Sequence, residues 1–266
     1  MNTGFSLGVN QSLQIAQKQL QQGNIQYASQ ILEKILKENP ENVDAMNMMS
    51  MVEYMKGNLK GAIEYCERIL EIVPDSVPVL NNLGNFYKAQ NKLTSARKAY
   101  VKVLRIDPSC FPACFNLGNV EAQSGNNKEA ISIYEKAIQL NNEHPDCFYN
   151  MAIELGKSGQ YGKAIAALKK TLALAPDHKE AFSQLGTTYY KMDEYEKAAE
   201  IFNKACNLKN VEPSTLNNYG VVLTRAGDYE QAIDVLNRAL KADPQNTDFR
   251  NNLGVAQMAR GEFDAA

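Results

Sequence analysis

One spacing governs this chain: apolar-small pairs recur every 34 residues without an insertion or deletion. Leu83-Gly84, Leu117-Gly118, Leu185-Gly186, Tyr219-Gly220 and Leu253-Gly254 fall on that period. Met151-Ala152 fills the step between them, and Met49-Ser50 and Ile15-Ala16 carry the register back towards the N-terminus. Seven complete repeats start at Val9, Val43, Val77, Phe111, Pro145, Lys179 and Pro213. An eighth starts at Thr247 and is cut at Ala266, and a leader of residues 1–8 precedes them all. A period of this length marks a unit of one supersecondary motif that cannot bury its apolar face alone and must stack on copies of itself.

The composition of each unit says which motif. Repeat position 20 is Ala in all eight copies, from Ala28 to Ala266, and position 8 is always Gly, Ala or Ser. Small residues at fixed places let two helices approach closely, so small opposite small is expected at a crossing. Position 15 is Gly in six of eight copies, where a helix ending in a left-handed residue is expected. Position 32 is Pro in five of seven, which stops a second helix. Between these markers the apolar residues keep helical spacing: Leu80, Leu83 and Tyr87 on one helix, then Ala96, Ala99, Tyr100 and Val103 on the next. The expected fold is all-α, an α-solenoid of helix-turn-helix units.

A 34-residue unit with an apolar residue at position 4, Leu-Gly at 7 and 8, Ala at 20 and Pro at 32 resembles the tetratricopeptide repeat. The resemblance covers residues 9–266 and implies a right-handed superhelix whose first helices line a concave groove. The family's Trp at position 4 is missing; Leu80, Cys114, Phe148, Phe182 and Leu216 stand there instead. The first repeat carries Ser12 and Gln19 on its outer face, as an N-terminal cap would. The other end has no polar closing helix, from which the chain is expected to be the N-terminal portion of a longer protein.

Position 6 is expected to project into the groove. Its occupants are Gln14, Met48, Asn82, Asn116, Asn150, Gln184, Asn218 and Asn252, and Asn85 and Asn119 follow one turn later. Asn is a mediocre mid-helix residue because its side chain competes for backbone hydrogen bonds, so its recurrence needs another cause. A carboxamide offers both donors and an acceptor, as a peptide backbone does. First helices about 10 Å apart would meet every third residue of an extended chain rising about 3.3 Å per residue. The candidate site is therefore a ladder of Asn82, Asn85, Asn116, Asn119, Asn150, Gln184, Asn218 and Asn252 holding an extended polypeptide segment. Its alternative is local packing, Asn being common at this position in the family. Phe115 and Tyr149 could meet an apolar ligand side chain, while Lys157, Lys191 and Arg225 form either a basic stripe or a solvated face. The two-carboxylate clamp that some tetratricopeptide domains use on heat-shock chaperones is absent: position 2 holds no Lys and position 6 no Arg.

Two function classes follow. One is a protein interaction scaffold. The other is the substrate-recognition arm of a larger enzyme, since the asparagine ladder resembles that of O-GlcNAc transferase-like glycosyltransferases. In neither does this chain act as an enzyme. Its two histidines, His144 and His178, both sit in turns and read as solvated. Cys110, Cys114, His144 and Cys147 make a poor zinc set, because Cys114 falls at a core position and the spacings are loose. Cys66 and Cys206 read as packing residues, and no metal or cofactor is expected. A formal charge of −2 argues against nucleic acid or an acidic membrane as partner. No apolar run approaches the ~18 residues of a membrane span. Five cysteines, an odd count, make no disulfide framework, and a reducing, cytoplasmic setting is expected.

Overall fold

The computed structural model describes residues 8–261; the leader before Gly8, and Ala266 with the second helix of the eighth repeat, lie outside them. The chain divides into two compact units, residues 1–133 and 134–266, each taken by itself below. In the first unit the helices are α1 (Val9–Gln21), α2 (Ile25–Glu38), α3 (Val43–Met55), α4 (Leu59–Ile72), α5 (Val77–Ala89), α6 (Leu93–Ile106) and α7 (Phe111–Gln123). Helix α8 (Asn127–Leu140) carries the division. The second unit continues with α9 (Pro145–Lys157), α10 (Tyr161–Leu174), α11 (Lys179–Tyr190), α12 (Tyr195–Cys206), α13 (Pro213–Ala226), α14 (Tyr229–Ala242) and α15 (Thr247–Arg260). The described residues contain no strand. In each unit helices pair in chain order and each hairpin packs on the next, the α-solenoid pattern of tetratricopeptide units.

Local chemistry sets the ends of the helices. Asn42, Asn58, Asp228 and Asn246 each accept a hydrogen bond from a backbone N–H of the first turn that follows them. At the end of α1, Gly23 N–H donates to Leu20 O (3.0 Å) and Asn24 N–H to Gln19 O (2.9 Å), which satisfies carbonyls the helix leaves open. That geometry needs a left-handed residue, and Gly23 has φ 78°. The third and sixth repeats lack the glycine, yet Asn91 and Asp193 adopt φ 57° at the same place. Their short polar side chains tolerate the conformation better than other side chains do.

The crossing inside each hairpin differs from the expectation of small against small. A Cβ on Gly84 would lie 2.5 Å from Tyr100 Cε1, on Gly186 2.6 Å from Phe202 Cε2, and on Gly220 2.4 Å from Leu236 Cγ. The small residue at position 8 makes room for a large one at position 24, so the contact is small against large. Repeats with Ala or Ser at position 8 carry Leu32, Cys66 or Leu168 at position 24, and so fill the space from the other side. The alanines at position 20 are fully buried from Ala28 to Ala232. Clusters cross repeat boundaries: Met46, Ala62, Cys66 and Ile69 of the second repeat close on Val79, Leu83 and Phe86 of the third. Fully burying a side chain of this size stabilises by about 1.5–3 kcal/mol. A lone hairpin forgoes that on one side, which is why neighbours are needed.

A tie between repeats lies on the second helices. Position 26 is Lys or Arg in all seven complete repeats. Arg68 donates to Pro40 O (3.1 Å) and Lys102 to Pro74 O (2.6 Å), so a cation of one repeat holds the chain leaving the one before. The sixth repeat departs from the pattern at its end. Helix α12 stops at Cys206, whereas α10 and α14 run on to the position that is Leu208 here. Asn210 takes φ 55° where most repeats have Pro.

Candidate functional site

All eight residues expected in the ladder are half-buried, neither sealed in the core nor free in solvent. In the first unit α5 and α7 present Asn82, Asn85, Asn116 and Asn119. Asn82 Nδ2 donates to Asn47 Oδ1 at 3.3 Å, and Asn116 Nδ2 donates to Asn85 Oδ1 at 3.2 Å. Lys88 Nζ donates to Asn116 Oδ1 at 3.0 Å. A lysine can only donate, so this bond fixes which end of the Asn116 amide faces it and turns the NH2 towards Asn85. Asn85 Oδ1 also accepts from the hydroxyl of Tyr100 at 2.6 Å. The ring of Tyr100 is fully buried against Gly84, so the amide is oriented from the core outwards. Burial pushes the Tyr100 hydroxyl well above its ordinary pKa and keeps it a donor. Burial lowers the pKa of Lys88, for which no ion-pair partner exists among the described residues.

The second unit presents Asn150, Gln184, Asn218 and Asn252 from α9, α11, α13 and α15. Asn252 Nδ2 donates to Asn217 Oδ1 at 2.9 Å. The carboxamides of Gln184 and Asn218 enter no side-chain hydrogen bond among the described residues. Asn218 borders a largely apolar pocket of about 210 Å³ lined also by Thr187, Tyr190, Lys191, Phe202 and Val221. Gln184 borders a second cleft of about 200 Å³ with Tyr149, Glu180, Ser183 and Thr215.

Several other candidates resolve into structural roles. Phe115 stacks on Phe111 with centroids 6.0 Å apart, and Tyr149 lies 4.8 Å from the imidazole of His178. His178 is therefore no solvated turn residue: its Nδ1 accepts from Ala181 N–H at 3.2 Å and caps α11. The unprotonated ring nitrogen here does what an Asn or Asp oxygen does at other helix starts of this chain. Lys157 is held by Glu154 at 2.7 Å, which removes it from a free basic stripe; Lys191 and Arg225 stay exposed. Cys114 and Cys147 are buried, and among the described residues no group of three or more His, Cys, Asp or Glu could hold a metal. No described helix is long and apolar enough to cross a membrane.

Sequence reasoning missed Tyr100, Lys88, Asn47 and Asn217 as parts of this face. A signal existed for the last two: position 5 repeats Asn at Asn47, Asn81, Asn217 and Asn251, a second carboxamide row beside the first. Tyr100 reads as core from its spacing, and only its packed geometry reveals that its hydroxyl reaches Asn85.

Family profiles described as Tetratricopeptide repeat match residues 13–77, 53–118, 113–177 and 223–266. One described as Anaphase-promoting complex, cyclosome, subunit 3 matches residues 157–239. No curated protein matches the chain. Among solved structures, MamA is 27% identical over 58% of this chain and 90% of its own, with a TM-score of 0.57. YrrB, described as a TPR protein with an unusual peptide-binding site, is 24% identical over 70% of this chain and 96% of its own, at 0.62. The C-terminal part of a TPR repeat-containing protein from Cytophaga hutchinsonii is 16% identical over 91% and 99%, at 0.76.

Proposed function

We propose, from the premise that this chain is a tetratricopeptide repeat protein, that it binds an extended polypeptide segment of another protein along the carboxamides of its first helices. An interaction scaffold is the role that goes with the family. The finer reading is supported by one observation above all: in each unit the first helices carry half-buried amides repeat after repeat with bonding capacity left over. A carboxamide has two N–H donors and two lone pairs. Asn116 commits one of each to Asn85 and Lys88, while Gln184 and Asn218 commit none. Amides that a bound chain covers lose their water and are costly unless they find partners, and the N–H and C=O groups of an extended chain supply the matching pair. Such binding draws on backbone rather than side chains, and so asks little of the partner's sequence.

The mutual bonds also define how the alternative would look. If the amides served local packing alone, their loss would matter to stability and not to binding. The test is a pull-down from cell lysate with the wild-type protein beside an Asn116→Ala, Asn150→Ala, Asn218→Ala variant, read by mass spectrometry with circular dichroism as the folding control. Partners lost only with the folded variant are expected. An identical partner list for both proteins would overturn the reading.

A further inference from the structure

The second repeat breaks the amide row, and what replaces it has a chemistry of its own. Its position 6 is Met48, and the residues that follow on the same helix face are Met51, Tyr54 and Met55. Tyr54 is 41% exposed and Met55 44%, both unusually open for residues of this size. Tyr54 is not loose: its ring stacks on Phe86 of the next repeat with centroids 5.0 Å apart. Met51 packs on the core cluster beneath. Met51 and Tyr54, with Phe86 of the next repeat, are the apolar lining of an open cleft of about 630 Å³ that Asn82, Asn85, Asn119 and Lys88 also line. A contiguous exposed apolar patch beside polar groups marks an interaction surface more often than a single exposed Leu does. Methionines suit it, since their unbranched thioethers re-pack around varied shapes.

Resting on the groove reading above, we propose that this cleft seats a bulky apolar side chain of the bound segment and that Lys88 takes a carboxylate of the same segment. The apolar lining selects the apolar residue by burial, and the ring of Tyr54, held by Phe86, presents a preformed flat surface to it. Lys88 supplies the charge complementarity: it is half-buried, bonded only to the neutral oxygen of Asn116, and lacks an ion-pair partner among the described residues. A carboxylate arriving there meets a partly desolvated cation, where a charged hydrogen bond is stronger than at an open surface. Met51 and Lys88 lie on adjacent repeats, so an extended chain spans them in about three residues. The partner class is thus an extended segment with an aromatic or aliphatic residue and an Asp or Glu about three residues away, anchored between them by backbone bonds to the asparagines.

The experiment is selection of a random dodecapeptide phage library on the full 266-residue chain, followed by fluorescence anisotropy with the enriched peptides made synthetically. Enriched peptides are expected to pair Phe, Leu, Ile or Met with an acidic residue at that spacing. Met51→Gln, checked for folding by circular dichroism, should weaken their binding roughly tenfold or more, the scale of one poorly buried apolar side chain. Lys88→Gln should erase the preference for Asp or Glu over Asn or Gln in the peptide. Lys88→Gln, whose side chain lies outside the core cluster, is the variant least able to disturb folding; Met55→Gln, on the same helix as Met51 but outside the cleft's lining, is the control and should leave binding unchanged. Enriched peptides with no apolar or acidic preference, sensitive to the triple Asn→Ala variant but not to Met51→Gln, would overturn this proposal and leave the groove reading standing. Peptides insensitive to both sets, or no enrichment at all, would overturn both.

Discussion

Replacing Gly84 by Ala tests the small-against-large crossing and its link to the groove in one step. The added Cβ would sit 2.5, 2.8 and 2.9 Å from Tyr100 Cε1, Cζ and Cδ1, about 1 Å inside normal carbon contact. The ring cannot swing aside cheaply, because it is fully buried and its hydroxyl is bonded to Asn85 at 2.6 Å. Overpacking of this kind costs about 1–3 kcal/mol. Loss of the tyrosine bond adds about 1 kcal/mol, and the better helix propensity of Ala returns about the same. The net expectation is a destabilisation of about 1–3 kcal/mol, read as a lowered midpoint in urea unfolding followed by circular dichroism. The second half of the test is Gly84→Ala with Tyr100→Leu, the pairing found at Ala16 and Leu32 and at Ala152 and Leu168. That double variant should recover at least about 1 kcal/mol relative to the sum of the single changes. If Gly84→Ala is neutral or stabilising, or if the two changes are additive, the crossing does not work as described.

Other parts of the structure make smaller claims. Lys102→Ala removes the bond to Pro74 O and the contact with Asp75, and because the side chain is 44% exposed the loss should stay below about 1 kcal/mol in the same unfolding assay. Arg97→Ala should cost more than Glu121→Gln, by about 1 kcal/mol, since it leaves a carboxylate only 1% exposed with the amide of Asn126 as its remaining side-chain donor. Burial raises the Cys66 thiol to about 11, so in native protein at neutral pH a thiol reagent should modify Cys110 and Cys206 first and reach Cys66 only on unfolding. The same shift has a pH sign: with a folded pKa above the unfolded value of 9.0, the unfolded chain loses this proton first, so its contribution to stability falls as pH rises from about 9 to about 11. A midpoint that rises over that window in wild type relative to Cys66→Ala would contradict it.

How far the sequence carried the analysis differs between fold and site. Helices α1, α3, α5, α7, α9, α11, α13 and α15 begin at the residues where the repeats were counted, because a strict period leaves turns nowhere else to go. Gly23 and its counterparts announced the left-handed turns, but Asn91 and Asp193 show that the backbone demands a conformation rather than a residue. The crossing was misread because a glycine in a pattern says only that space is needed, not what fills it; Tyr100 fills it from sixteen residues away. At the candidate site, the recurrence of carboxamides at position 6 was legible. The bonds from Asn82 to Asn47 and from Asn116 to Asn85 were not, since they depend on the rotation of amides between neighbouring helices. Lys88 escaped for the same reason: nothing in a linear pattern says that its ammonium bends towards Asn116.

Those amide bonds share a sense. Asn82 gives its N–H to Asn47, Asn116 to Asn85, and Asn252 to Asn217: in every case the donor belongs to the later repeat and the acceptor to the earlier. Within each unit these side-chain amides thus point along the order of the repeats, much as peptide dipoles are aligned in a helix. A polypeptide is itself a vector, its N–H and C=O groups arriving in a fixed order from N- to C-terminus. A surface built from like-oriented dipoles reads that vector, so a segment and its reversed sequence are different ligands to it even when their side chains match.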